Sequence, residues 1–457
     1  MKKKLYIVML ALGMLLAVSG CADTVEPAPD ESAEPEPEIA IPEEPAPELS
    51  PREKDWVEDI NYLREEYTAK HMDPFYYCSE EEFNWKLDRL IGEVSSLSDS
   101  DLFFELAAII AGMGDSHTNF LTVSSLDYVY DEFFPVSALY FGNRLYLCAY
   151  QEGYEQLEPY LLQEIVAVNG IDISYLQKKA ESFINPNQSW ESKEVFPRFF
   201  FVPAFFDWAG CDYREGYTFQ LLNENNEVES IDIPTVSKST HDQATWVYSD
   251  TWESIPYLKG GNWVEYFEED GIGYIYLYFT EMDYTINGAP WKPFFDEVSE
   301  TMDTHPDCDK LIIDFRLHPG GNGAVMSYFR RIIAILDDAA IENTYVLTGG
   351  FSASGAMECI ADFKKELQAI TVGEPTGAFT SFFCQWQPEP VTLPNSGMSM
   401  WASNYWWEGT PLTEMLYDES GKLYPWENTV LPDVYVYQDI EDIRQGKDSV
   451  IEWILAQ

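Results

Sequence analysis

The chain reads KLIIDFRLHPGGNG from Lys310 to Gly323, TYVLTGGFSASG from Thr344 to Gly355, and ITVGEPTG from Ile370 to Gly377. Three short apolar runs, Leu311–Phe315, Thr344–Leu347 and Ala369–Val372, alternate with two stretches of helical spacing, Ala324–Leu336 and Gly355–Leu367. Parallel strands need a crossover and a helix is the usual one, so this alternation predicts a parallel β-α-β-α-β layer. The loops at the carboxyl ends of its strands should converge on one edge.

Those loops carry Gly320, Gly321 and Gly323 in the first, and Gly349, Gly350, Ser352, Ala353 and Ser354 in the second. Glycines there let backbone N–H groups approach a substrate oxygen, and a serine at a strand-to-helix turn is held out of the core beside them. That is the pattern of an oxyanion site next to a nucleophile. The residues alone also fit ordinary turn glycines with Ser352 or Ser354 capping the following helix.

Working outward, the 457 residues are 46% hydrophobic and 15% aromatic, enough for two or three domains with real cores. The formal charge of −52 excludes nucleic acid as a natural partner, because phosphate is repelled. Lys2–Lys4, an apolar run and then Ser19, Gly20 and Cys21 resemble a bacterial lipoprotein signal. Residues 1–20 are then a signal peptide, and Cys21 becomes a lipid-bearing terminus on the extracytoplasmic face of the cell membrane. Acyl chains contribute about 0.8 kcal/mol per buried CH₂ to such an anchor. The other six cysteines are scattered and select no pairing, and no ligand cluster argues for a metal or other cofactor.

Residues 21–54 are almost wholly proline, glutamate, aspartate and alanine, the composition of an extended tether. Residues 55–120 show three helical patterns ending in GMGDSHTNF, a compact polar turn after a helix-ending glycine. Residues 121–260 read mainly as strands and turns, with IVAVNGIDI similar to the strand and turn of PDZ-like modules. The aromatic run FPRFFFVPAFFDW either lines an apolar groove or packs beneath this module. Residues 261–457 hold the α/β core, opened by GIGYIYLYFT, extended by antiparallel strands after Gly377 and closed by a helix over Ile440–Leu455.

Seven motifs in order, GMGDSHT, IVAVNGIDI, GIGYIYL, LIIDFRLHPGGNG, FSASG, TVGEPTG and VLPD, resemble the tail-specific (C-terminal processing) serine peptidase superfamily over Asp55–Asp433. The resemblance implies a ClpP/crotonase-like α/β core, hydrolysis of a peptide or protein substrate through an acyl-enzyme, and no cofactor. It places the nucleophile on Ser352 and the oxyanion hole on the amides of Ala353 and of Gly320 or Gly321. The lysine of the tail-specific branch is replaced by Phe379, and no lysine or arginine occurs between Glu374 and Lys422. The tricorn-like branch, with a histidine preceded by serine, fits instead: His117 as base with Ser116 beside it. Its downstream acid falls nearest Glu427, with Glu408 and Glu414 as alternatives. Two departures, Gly355 for the usual glutamate and His318 for the usual asparagine, leave room for an inactive member that binds a peptide or apolar ligand.

Overall fold

A computed structural model describes residues 48–457 except 121–122, 185–191, 212–215, 253–254, 256–257, 259, 340, 387–388 and 410–429. The expected signal peptide, Cys21, all but the end of the tether, Glu414 and Glu427 lie outside the described residues.

The central layer is a six-stranded sheet in the spatial order Trp263–Glu269, Ile272–Tyr278, Lys310–Asp314, Thr344–Thr348, Ile370–Gly373 and Val434–Tyr435. Its first pair is antiparallel and every later neighbour is parallel. The first three parallel crossovers are helices, Trp291–Thr304, Met326–Ala339 and Gly355–Glu366, and the connection from Gly373 to Val434 carries the short antiparallel strands Phe382–Cys384, Val391–Thr392, Ser399–Met400 and Tyr405–Trp407. The strands are apolar on both faces because both faces are covered. Leu311 and Ile313 pack under the crossover helices, while Ile312 packs with Tyr276 and Tyr278 against Ile451 and Ile454 near the C-terminus.

Arg316, just beyond the third strand, fastens that second face. It bonds Asp314 and, through Nη2, Asp448 at 2.7 Å, all three buried. A helix expected over Ile440–Leu455 is instead two, Ile440–Arg444 and Ser449–Leu455. Gly446, at φ +72°, breaks it, and Asp448 caps the second segment through the amides of Val450 and Ile451.

The first helix spans Pro51–Lys70, starting inside the stretch expected to be tether. Ser50 forms a reciprocal capping box with Glu53, and Pro51 takes the first helical position, so the local chemistry overrides the acidic composition. Helices Glu80–Glu93 and Asp99–Ala111 follow. Residues 136–248 build a second, largely antiparallel sheet in which Asn169 and Gly170, both at positive φ, turn Glu164–Val168 into Ile171–Asp172.

The structure decides between the two readings of the aromatic run and alters one boundary. The aromatic run is not a groove: it is helical through Pro203–Trp208, and Phe196, Phe200, Phe205 and Phe206 are fully inside the core. Nor do residues 261–457 stay in one layer. Val391, Leu393, Met398 and Met400 return to the core of the N-terminal helices, where the Asp59 carboxylate accepts from the amides of Asn395 and Ser396. Leu49–Gln457 form one compact unit.

Candidate active site

The strands Lys310–Asp314, Thr344–Thr348 and Ile370–Gly373 end in loops that meet on one edge, and Ser352 is what joins them. Its hydroxyl donates to the Phe315 carbonyl at 2.8 Å and accepts from the Gly349 amide at 3.0 Å. Its own amide donates to the Gly349 carbonyl, and its carbonyl accepts from the Gly377 amide. Ser352 is fully buried with every polar atom committed. The structure therefore does not bring Ser352 to His117, contrary to the expected assignment.

The serine beside His117 is Ser354. Its Oγ lies 2.9 Å from His117 Nε2, across 237 positions of sequence. Ser354 has φ +51° and ψ −127°, left-handed backbone that a residue with a side chain rarely adopts, at a cost on the order of 1–3 kcal/mol. It occupies the turn directly before the helix starting at Gly355, and no cap bond engages its hydroxyl. The strain aims that hydroxyl at the cleft.

His117 is held from four directions. Its ring stacks on Phe382 at 4.8 Å with planes 8° apart, and its amide donates to Asp115 Oδ1 at 3.0 Å. The Gln385 side chain donates to its carbonyl, and Ser116 Oγ lies 3.3 Å from Nδ1. If Nε2 accepts the Ser354 proton, Nδ1 carries the ring hydrogen and Ser116 accepts it. Burial lowers the pKa of this imidazole, with the nearby Asp115 charge only partly opposing, so the ring is neutral near pH 7.

Of the three amides expected at an oxyanion hole, those of Ala353 and Gly320 are engaged elsewhere and that of Gly321, among the described residues, is not. The Ala353 amide donates to the His318 carbonyl at 3.2 Å, and the Gly320 amide to His318 Nδ1 at 3.0 Å, so neither faces substrate. The amides of Gly321 and Gly355 have no partner among the described residues, and both residues line the same cleft as Ser354. Their closeness depends on glycine. A Cβ on Gly320, at φ +93°, would stand 2.5 Å from Ser354 Cβ, and one on Gly355 would stand 2.7 Å from Met282 Sδ. His318, the departure from the family's asparagine, is fully buried, and burial pushes its pKa down to about 4. It is thus a neutral acceptor for the loop amide.

The cleft measures about 500 Å³ and is lined by His117, Ser354, Gly321 and Gly355 together with Phe382 and Trp407. No group of side chains among the described residues could hold a metal ion. Glu408 is exposed and hydrogen-bonds to neither His117 nor Ser116 among the described contacts. Of the missed residues, Ser354 had one sequence signal, its position at the exact join of loop and helical spacing. Gly355 carries in sequence only its departure from the family's glutamate.

Mature CPAF in complex with lactacystin superposes with a TM-score of 0.56 at 14% identity, covering 89% of this chain and 98% of that one. This chain has the fold of CPAF. Weaker likenesses are to the photosystem II D1 C-terminal processing protease (TM-score 0.37, 12% identity, 86% and 94% covered) and the tricorn protease (0.35, 12%, 88% and 36%). No family model and no curated protein matches the sequence.

Proposed function

We propose that this chain is a serine-type peptidase of the tail-specific superfamily, with a ClpP/crotonase-type core and a PDZ-like segment in its second sheet. The observation that carries the reading is the 2.9 Å approach of His117 Nε2 to a strained, cleft-lining Ser354. Ser354 Oγ attacks a peptide carbonyl as its proton passes to Nε2. The carbonyl oxygen, now negative, lies against the amides of Gly321 and Gly355. His117 then returns the proton to the leaving amine, and water, activated by the same imidazole, hydrolyses the acyl-enzyme. Ser116 keeps Nδ1 protonated throughout, and Glu427, where the resemblance puts the family's acid, would add a carboxylate to this relay. The leader and Cys21 would hold this activity at the extracytoplasmic membrane surface.

The test is a fluorophosphonate probe on the intact protein. Labelling is expected in the wild type and in Ser352→Ala, and none in Ser354→Ala. Absence of labelling in a folded wild-type protein would sink the peptidase reading and favour a peptide binder on the same scaffold.

A further inference from the structure

Behind the proposed base lies a buried polar cluster that the reaction as written does not use. His71 caps the end of the first helix, and its Nδ1 accepts from the Asp73 amide at 3.1 Å. Nε2 must then carry the hydrogen of a neutral ring, and it donates to Asp115 Oδ2 at 3.1 Å. Oδ2 also accepts from the Thr118 hydroxyl at 2.6 Å, and Oδ1 from the His117 amide at 3.0 Å. The Thr118 hydroxyl in turn accepts from the Ser403 amide at 3.0 Å, while the Ser403 carbonyl accepts from the Met72 amide at 2.8 Å. His71, Asp115, Thr118 and Ser403 are all buried.

We propose that Asp115, anchored by His71, is the positioning residue for His117. Through Thr118 and Ser403 it joins the base to the first helix and to the strand extension beyond Gly377. A buried carboxylate with three donors has one stable placement, so its hold on the His117 amide fixes where the imidazole starts. Its charge acts as well. Burial pushes the Asp115 carboxyl up, but the His71 hydrogen bond, the two imidazoles and Ser403 outweigh this and leave it below the usual carboxylate range. The titratable groups facing it from other elements are Tyr67, Tyr77 and Cys384, each raised chiefly by burial, with Asp115 the next cause for Tyr67 and Cys384 and Tyr76 ahead of Asp115 for Tyr77; the thiol rises to about 11. All three are neutral near pH 7. Among these groups Asp115 alone carries a charge able to favour the imidazolium that forms when His117 takes a proton.

The catalytic consequence rests on the peptidase reading, so the test has one arm that needs no turnover. In a Ser354→Ala background, the His117 ring is titrated by NMR with and without Asp115→Asn, its signal assigned by loss in His117→Gln. Removing the charge is expected to lower the His117 midpoint by about one pH unit. An unchanged midpoint in a folded protein overturns the inference. With Ser354 present, His71→Leu is expected to lower kcat by roughly tenfold at unchanged KM, and His71→Gln, which keeps a donor toward Asp115, to restore most of it. This pair also serves if Asp115→Asn does not fold: His71→Leu with wild-type kcat and midpoint counts against the proposal. A wild type that turns over no peptide but shows the midpoint change removes the peptidase and leaves Asp115 as the anchor of His117.

Discussion

Ser352 and Ser354 stand two positions apart in the same loop, and almost every physical property of their hydroxyls is opposite. Ser352 is fully buried, donates and accepts, and staples the loops after three strands. Ser354 has left-handed backbone, and among the described residues its hydroxyl bonds one side chain, the neutral ring of His117. A hydroxyl that is already satisfied gains nothing by leaving its partners, whereas one held in a strained turn is presented for reaction. Composition cannot separate the two, but backbone does.

The sharpest way to break this contrast is to remove each hydroxyl. Ser354→Ala is expected to cut kcat by roughly 10⁴-fold or more with the melting temperature nearly unchanged, since among the described residues only His117 loses a side-chain bond. Ser352→Ala leaves the Phe315 carbonyl and the Gly349 amide short of a partner inside the core. A stability loss of about 1–3 kcal/mol is expected, with labelling of Ser354 retained. Denaturant melts and probe labelling read both, and exchanged outcomes would return the nucleophile to Ser352.

Next in size is Gly320→Ala. The added methyl would collide with Ser354 Cβ, with the Ala353 carbonyl oxygen at 2.6 Å and with the Gly355 amide nitrogen at 2.7 Å. Backbone cannot yield as a side-chain tip does, so the two donor amides must separate. A loss of about 10²- to 10³-fold in kcat is expected, larger than the loss in substrate affinity measured on the Ser354→Ala background. If kcat holds while affinity falls, the Gly321 and Gly355 amides bind ground-state substrate rather than a developing oxyanion.

The sheet was legible because period and punctuation agree over Lys310–Gly377: strands Lys310–Asp314, Thr344–Thr348 and Ile370–Gly373 lie within a residue or two of the apolar runs. The meeting of the His117 turn with the second loop was also expected, from the resemblance rather than from spacing. What the residues could not show was which amides remain free. Ala353 looked available until the His318 carbonyl came within 3.2 Å, and Gly320 until the His318 ring did. His71, isolated after a helix, gives no local sign that it faces Asp115 across 44 positions. The early start of the first helix and the inward turn of the aromatic run have the same cause: capping and burial decided them, and neither is visible in a count of residue types.

The gentlest probe of the contrast is pH, because it alters His117 and His318, two imidazoles whose pKa burial lowers, without altering the chain. Protonated His117 cannot take the Ser354 proton, and burial puts its pKa below the ordinary histidine value, so kcat/KM should be full at pH 7 and fall only below pH 6.5. His318 adds a separate limb in stability. Its folded pKa of about 4 lies under the value near 6.5 of an exposed histidine, so the unfolded chain binds the extra proton first. Stability from this group is present above pH 6.5 and declines as the pH drops toward 4, by a few kcal/mol on the order of what such a difference permits. His318→Asn, which keeps an acceptor within reach of the Gly320 amide, should flatten the stability limb and leave the His117 limb in kcat/KM where it was. Melting temperatures and rates measured across pH 4–8 on both proteins separate the two. A single limb that vanishes from both readouts in His318→Asn would mean that the oxyanion loop, and not the base, sets the acid limit.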